Sequence, residues 1–93
     1  MTIIARHLLI SGRVQGVFYR GWTVETATGL GLTGWVRNLR NGDVEALVQG
    51  PVEVVERFIE MAHAGPRAAR VQGVEASVAP VGFLHGFEQR ASD

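Results

Sequence analysis

The dipeptide Asn41-Gly42 constrains this chain more than any other feature. It separates two runs of strand character, and Asn-Gly in that setting is the strongest short-range signal for a β-hairpin. The run before it is Leu32 to Asn38 (Leu-Thr-Gly-Trp-Val-Arg-Asn) and the run after it is Val44 to Gln49 (Val-Glu-Ala-Leu-Val-Gln), so these two strands must pair antiparallel. Outward from the hairpin the pattern turns helical on both sides. From about Gly21 to Gly31, Val24, Ala27 and Thr28 keep helical spacing, although the threonines and glycines there give poor propensity. Each interior glycine costs about 0.5–1 kcal/mol relative to alanine, so tertiary packing must hold that helix. On the other side Gly50-Pro51 opens a second helix, with proline at the first helical position, where its missing N–H costs nothing. Val55, Phe58, Ile59 and Ala62 form its apolar stripe, Glu53, Glu56, Arg57 and Glu60 fall opposite, and Gly65-Pro66 ends it.

Two further strands flank the helices. Ile3 to Ser11 is rich in long and branched apolar residues and stops at Gly12, as a mostly buried strand would. Arg70 to Val78 alternates Val74, Ala76 and Val78 with Glu75 and Ser77, the pattern of a strand with one wet face, before Pro80 and Gly82 break it. Phe87 to Arg90 reads as a short final edge strand. The order strand, helix, strand, strand, helix, strand predicts an α+β fold of the ferredoxin-like, split βαβ type. Its sheet is mainly antiparallel and both helices lie on one face. With 93 residues the whole chain, 1–93, is a single domain, and any active site must sit on that fold itself.

Composition removes several chemistries. There is no cysteine, hence no disulfide framework, thiolate nucleophile or cysteine-ligated metal. Every basic residue is arginine, which excludes a catalytic lysine and the lysine of a Walker-type nucleotide loop. His7, His63 and His85 are scattered without carboxylates at ligand spacing, so no metal is expected. Ser11, Ser77 and Ser92 carry no nucleophile-elbow pattern. The string Gly29-Leu30-Gly31-Leu32-Thr33-Gly34 spells G-x-G-x-x-G, but it closes a helix and opens a strand, the reverse of what a dinucleotide site requires. Net charge is zero, which argues against nucleic acid, as does the lack of aromatics on Val44 to Val48, where an RNA-recognition sheet of this element order would need them. No apolar run is long enough to cross a membrane and no signal-peptide pattern opens the chain, so a cytoplasmic, monomeric protein without membrane partners is expected.

The charge is unevenly spread, residues 1 to 42 carrying a net +4 and residues 43 to 93 a net −4. In the basic half, Gly12-Arg13-Val14-Gln15-Gly16-Val17-Phe18-Tyr19-Arg20 is built like an anion cradle: an apolar strand stops, two glycines bracket a loop, and an arginine closes it before a helix. On its own it reads more readily as an ordinary strand-to-helix turn, because glycine-rich turns are common. A second stretch is Gly34-Trp35-Val36-Arg37-Asn38, running into the Asn41-Gly42 hairpin.

Taken together, Gly-Arg-Val-Gln-Gly-Val-Phe-Tyr-Arg at 12–20 and Leu-Gly-Leu-Thr-Gly-Trp-Val-Arg-Asn at 30–38 resemble the acylphosphatases, small enzymes that hydrolyse carboxyl phosphates. The resemblance extends to length and element order over nearly the whole chain. It implies that the loop from Val14 through Gln15, Gly16, Val17, Phe18 and Tyr19 to Arg20 holds phosphate on backbone N–H groups. It also implies that Arg20 grips the phosphate with its side chain and that Asn38 orients the attacking water. Substrate and product would then be an acyl phosphate and inorganic phosphate, with no cofactor, no metal and no covalent intermediate. The chemistry is compatible with so sparse a residue set. A carboxylate leaves as a stable anion and needs no general acid, and phosphoryl transfer is helped mostly by positioning and electrostatics. The resemblance also leaves a non-catalytic phosphate- or carbamoyl-phosphate-binding module as the alternative, since domains of this kind occur inside much longer hydrogenase-maturation carbamoyltransferases.

Overall fold

The chain's strand-forming runs assemble into one sheet with the two helices packed on it. The computed structural model describes residues 1–93 as β1 (Ile3–Arg13), α1 (Tyr19–Gly29), β2 (Thr33–Asn38), β3 (Val44–Pro51), α2 (Val52–Ala62), β4 (Arg70–Ala79) and β5 (Phe87–Gln89). The sheet order is β4-β1-β3-β2-β5. β3 lies antiparallel to both β1 and β2, β4 is antiparallel to β1, and β5 is parallel to β2. This is the expected ferredoxin-like split βαβ arrangement, extended by one short parallel edge strand. No helix is long and apolar enough to cross a membrane.

Register decides which side chains meet the helices. Leu8 and Val36 both lie opposite Ala46, and Ile10 lies opposite Val44, so these residues share a face. All are fully buried against Tyr19 and Ala27 of α1 and Val55, Phe58 and Ala62 of α2. Burial of a single side chain such as Phe58 stabilises the fold by roughly 1.5–3 kcal/mol. The other face carries His7, Leu9, Trp35, Arg37, Glu45 and Leu47, all half-buried and left without a helix above them.

Several local expectations need correction. The Asn41-Gly42 hairpin is present, but among its residues only Gly42 has a positive φ, so it is not the two-residue turn that Asn-Gly most often makes. Gly42 N–H donates to the Leu39 carbonyl at 3.2 Å, and Asn41 Oδ1 accepts from Asp43 N–H at 2.9 Å. α1 starts two residues earlier than its spacing suggests and buries Tyr19, Thr23 and Ala27, while Val24 is half-buried and Thr28 exposed. Its end is closed by Gly31 N–H on the Thr28 carbonyl and Leu32 N–H on the Ala27 carbonyl, a Schellman arrangement that accounts for the apparent dinucleotide string. Pro51 stands one residue before α2, at its N-cap, and Ile59 is half-buried on the edge of the α2 stripe.

β1 does not stop at Gly12 but continues to Arg13 through a bulge at Ser11/Gly12. Gly12 has φ 117°, and a Cβ there would strike the Arg70 carbonyl of β4, so the glycine permits close approach of two strands. In β4 only the beginning reaches the core. Val74 is half-buried, whereas Ala76 and Val78 are exposed, because two helices cannot cover the full width of a five-stranded sheet and β4 is its edge.

Candidate active site

One end of the sheet is closed by the β1–α1 loop, and between it and the end of β2 lies an open cleft of about 270 Å³. Val14, Gly16, Phe18, Tyr19, Arg20 and Gly21 line one wall, while Asn38 of β2 and Gln89 of β5 line the other. The two sequence motifs therefore meet, because the split βαβ topology sets the start of α1 beside the end of β2.

The loop wall is rich in uncommitted donors. None of the backbone N–H groups of residues 14 to 18 donates to another backbone group or to a side chain. The helix adds more: the first helical backbone bond at this end is Trp22 N–H to the Phe18 carbonyl at 2.9 Å, and α1 has neither a side-chain cap nor an acidic residue in its first turn. An uncapped helix N-terminus carries about half a positive elementary charge and presents N–H groups to an anion. Gly16 takes φ 75°, in the left-handed region, and a Cβ there would meet no protein atom within 4 Å. The visible reason for glycine is thus the backbone conformation rather than crowding within the protein. Phe18, the N-cap, also sits at positive φ, 68°, at a cost of roughly 1–2 kcal/mol for a residue with a Cβ.

Arg20 is half-buried at the cleft and pairs with no carboxylate; the three ion pairs of the protein involve His7, Arg37 and Arg90 instead. No acidic side chain lines the cleft. Asn38 is equally uncommitted: its Oδ1 is buried without a hydrogen-bond partner, a situation that costs about 1–3 kcal/mol unless a water or ligand relieves it. The role of turn-maker belongs to Asn41, so turn formation does not explain Asn38.

The remaining predicted residues are placed differently. The Val14 and Tyr19 side chains belong to the core, with the Tyr19 hydroxyl donating to the Ala62 carbonyl at 2.7 Å. Burial pushes that hydroxyl well above the usual phenol pKa, so it is a structural donor. The Val17 side chain packs against the core. Gln15 turns away from the cleft, and its Nε2 donates to the Leu39 carbonyl at 2.7 Å and the Asp43 carbonyl at 2.8 Å. One amide thus staples the loop to the hairpin that begins one residue after Asn38. Gly21 and Gln89 line the cleft without having been singled out from sequence. Gly21 had a legible signal, a glycine beside the motif arginine in a helix start; Gln89, on a three-residue strand, had none.

The acylphosphatase family model matches residues 6–89. The chain belongs to the acylphosphatase family. Membership makes it a hydrolase. A relative named acylphosphatase from Acidovorax sp. (strain JS42) is 53% identical over 87 residues, covering 94% of this chain and 90% of that protein. The solved acylphosphatase from Coxiella burnetii superposes with a TM-score of 0.92 at 36% identity, covering 95% of this chain and 93% of that one. Full-length HypF, solved in a phosphate- and nucleotide-bound form, superposes over 99% of this chain and 12% of its own, with TM-score 0.90 and 26% identity. No group of three or more histidine, cysteine or acidic side chains is positioned to hold a metal ion.

Proposed function

We propose that the protein hydrolyses acyl phosphates to a carboxylate and inorganic phosphate by direct attack of water on phosphorus, the cleft residues supplying all the catalytic groups. The free N–H groups of the 14–18 loop and of the α1 N-terminus bind the non-bridging phosphate oxygens. Arg20 adds a planar, permanently charged fork to the same oxygens. In a loose transition state the charge on those oxygens spreads and shifts, and donors fixed before the reaction stabilise it without reorganising. Asn38 is no base. Its amide holds a water in line with the P–O bond to be broken, lowering the entropic cost of attack. The departing carboxylate is stable at neutral pH, so no proton donor is needed on that side.

The observation that carries this reading is that a single cleft gathers a guanidinium without a counter-ion and an asparagine oxygen without a partner. The decisive experiment is benzoyl phosphate hydrolysis in excess EDTA, with single-turnover reaction in ¹⁸O-labelled water. Benzoate release above the buffer rate, with label in phosphate and none in benzoate, is expected. No release overturns the enzymatic reading in favour of the phosphate-binding alternative, and a requirement for added metal overturns the mechanism. On this reading the protein is a cytoplasmic monomer, which sedimentation at its mass of 10.1 kDa and cell fractionation would check.

A further inference from the structure

Phosphate chemistry leaves one residue of the cleft unexplained. Phe18 is the sole non-glycine residue of the chain at positive φ, and its side chain is 61% exposed at the cleft's mouth. A strained backbone beneath an exposed phenyl ring contributes nothing to the core. The ring has one close neighbour. It lies over Gly21, where a Cβ would collide with the ring atoms Cε1, Cζ and Cδ1. Gly21 does not need glycine for its own conformation: it is inside α1 with an ordinary helical φ, where alanine suits a helix better. A side chain at position 21 would make the ring swing aside. The chain thus tolerates two unfavourable local choices to keep an aromatic surface at the rim.

The site's direction says what that surface meets. Phosphate on the loop N–H groups and Arg20 would occupy only part of a cleft of about 270 Å³. In-line displacement sends the leaving carboxylate away from the wall that bears Asn38, and Phe18 belongs to the facing wall, next to Arg20. We propose that Phe18, seated on Gly21, is the specificity residue of this enzyme: its ring covers the acyl substituent and favours aromatic or bulky apolar acyl phosphates over acetyl phosphate. The inference rests on the acyl phosphate reading given above.

Its test is the ratio of kcat/KM for benzoyl phosphate to that for acetyl phosphate, in the wild type and in two variants. Phe18→Asn removes the ring and places there a residue that tolerates positive φ. Gly21→Ala keeps the ring but unseats it, in a helix that alanine strengthens. The ratio should fall roughly tenfold in Phe18→Asn, the order expected for one apolar contact in a half-open pocket, and by a smaller factor in Gly21→Ala. A ratio within twofold of wild type in both variants overturns the specificity role, even if both rates drop together. If the wild type hydrolyses neither substrate, the acyl phosphate reading falls and this inference with it.

Discussion

Arg20, in the first turn of α1, and Arg37, on β2, are both half-buried arginines, and their surroundings could hardly differ more. Arg37, on the face without helices, has its Nε at 2.6 Å from Glu45 Oε1 and its guanidinium over the Trp35 ring, which Arg90 also approaches. His7 completes the cluster by meeting Glu45 Oε2 at 2.7 Å. Arg20 has no partner at all, and beside it stand free N–H groups and an unsatisfied asparagine. The same residue type is thus paired with a carboxylate where it joins neighbouring strands and left without one at the cleft. An unpaired charge beside unsatisfied donors and acceptors marks a candidate binding site.

The contrast can be broken most sharply at its two arginines. Arg20→Gln should lose roughly a hundredfold or more in kcat/KM for benzoyl phosphate and should also lose inhibition by inorganic phosphate, because on the proposed mechanism it removes the charge that the anion compensates. Arg37→Gln, in the paired cluster, should stay within about twofold. Equal losses in the two variants would abolish the distinction. Next in size is Asn38→Ala, for which kcat should drop by roughly two orders of magnitude while inhibition by inorganic phosphate persists, since on the proposed mechanism that side chain holds water rather than phosphate. Loss of phosphate inhibition in Asn38→Ala would show that the two motifs do not divide the work.

Gln15→Ala probes what keeps the two walls in register. Removing two amide-to-carbonyl bonds should lower stability by about 1–3 kcal/mol in a urea titration and reduce kcat more than it weakens phosphate inhibition. An unchanged urea midpoint would mean that the staple carries no strain between loop and hairpin. The smallest effect belongs to the helix-free face of the sheet. Burial alone would push the Glu45 carboxyl up, but hydrogen bonds and charge from His7 and Arg37 outweigh it and hold the pKa below the usual carboxylate value. A depressed folded-state pKa contributes stability that is fully present above the unfolded value and is lost as pH falls through the folded one. The stability gap between wild type and Glu45→Gln should therefore shrink as pH drops below about 4, the ordinary carboxylate range, with hydrolysis at neutral pH unaffected. A gap that widens on acidification would reverse the assignment.

What could be read from residues alone follows from where specificity of type is required. The hairpin, the α2 stripe and the two motifs were legible because Asn-Gly, a 3.6-residue apolar repeat, and Gly, Arg and Asn in fixed spacing each have few substitutes. The start of α1 was not, since nothing in the letters around Phe18 announces a left-handed phenylalanine, and moving that boundary shifts the buried stripe from Val24 and Thr28 to Tyr19 and Thr23. Gln15 shows a different blindness. Its partners are main-chain carbonyls of Leu39 and Asp43, which any residue would offer, so only the folded arrangement reveals the staple. The exposure of Ala76 and Val78 was illegible for a third reason: alternation shows which residues share a strand face, but not whether a helix extends far enough to cover it.

The sheet order also sets a timetable. β1 lies between β3 and β4, so the first strand of the chain keeps both edges bare until residues 44–51 and 70–79 exist to cover them. Pairs such as Ala5 with Ala79 join opposite ends of the sequence, and contacts of such separation must bear the loop-closure entropy before they return any stabilisation. Refolding should accordingly take milliseconds to seconds rather than microseconds, with aggregation through β1 as its competitor at high concentration. Stopped-flow tryptophan fluresence of Trp22 and Trp35 would time it, and a microsecond phase carrying the full amplitude would contradict a rate set by this topology.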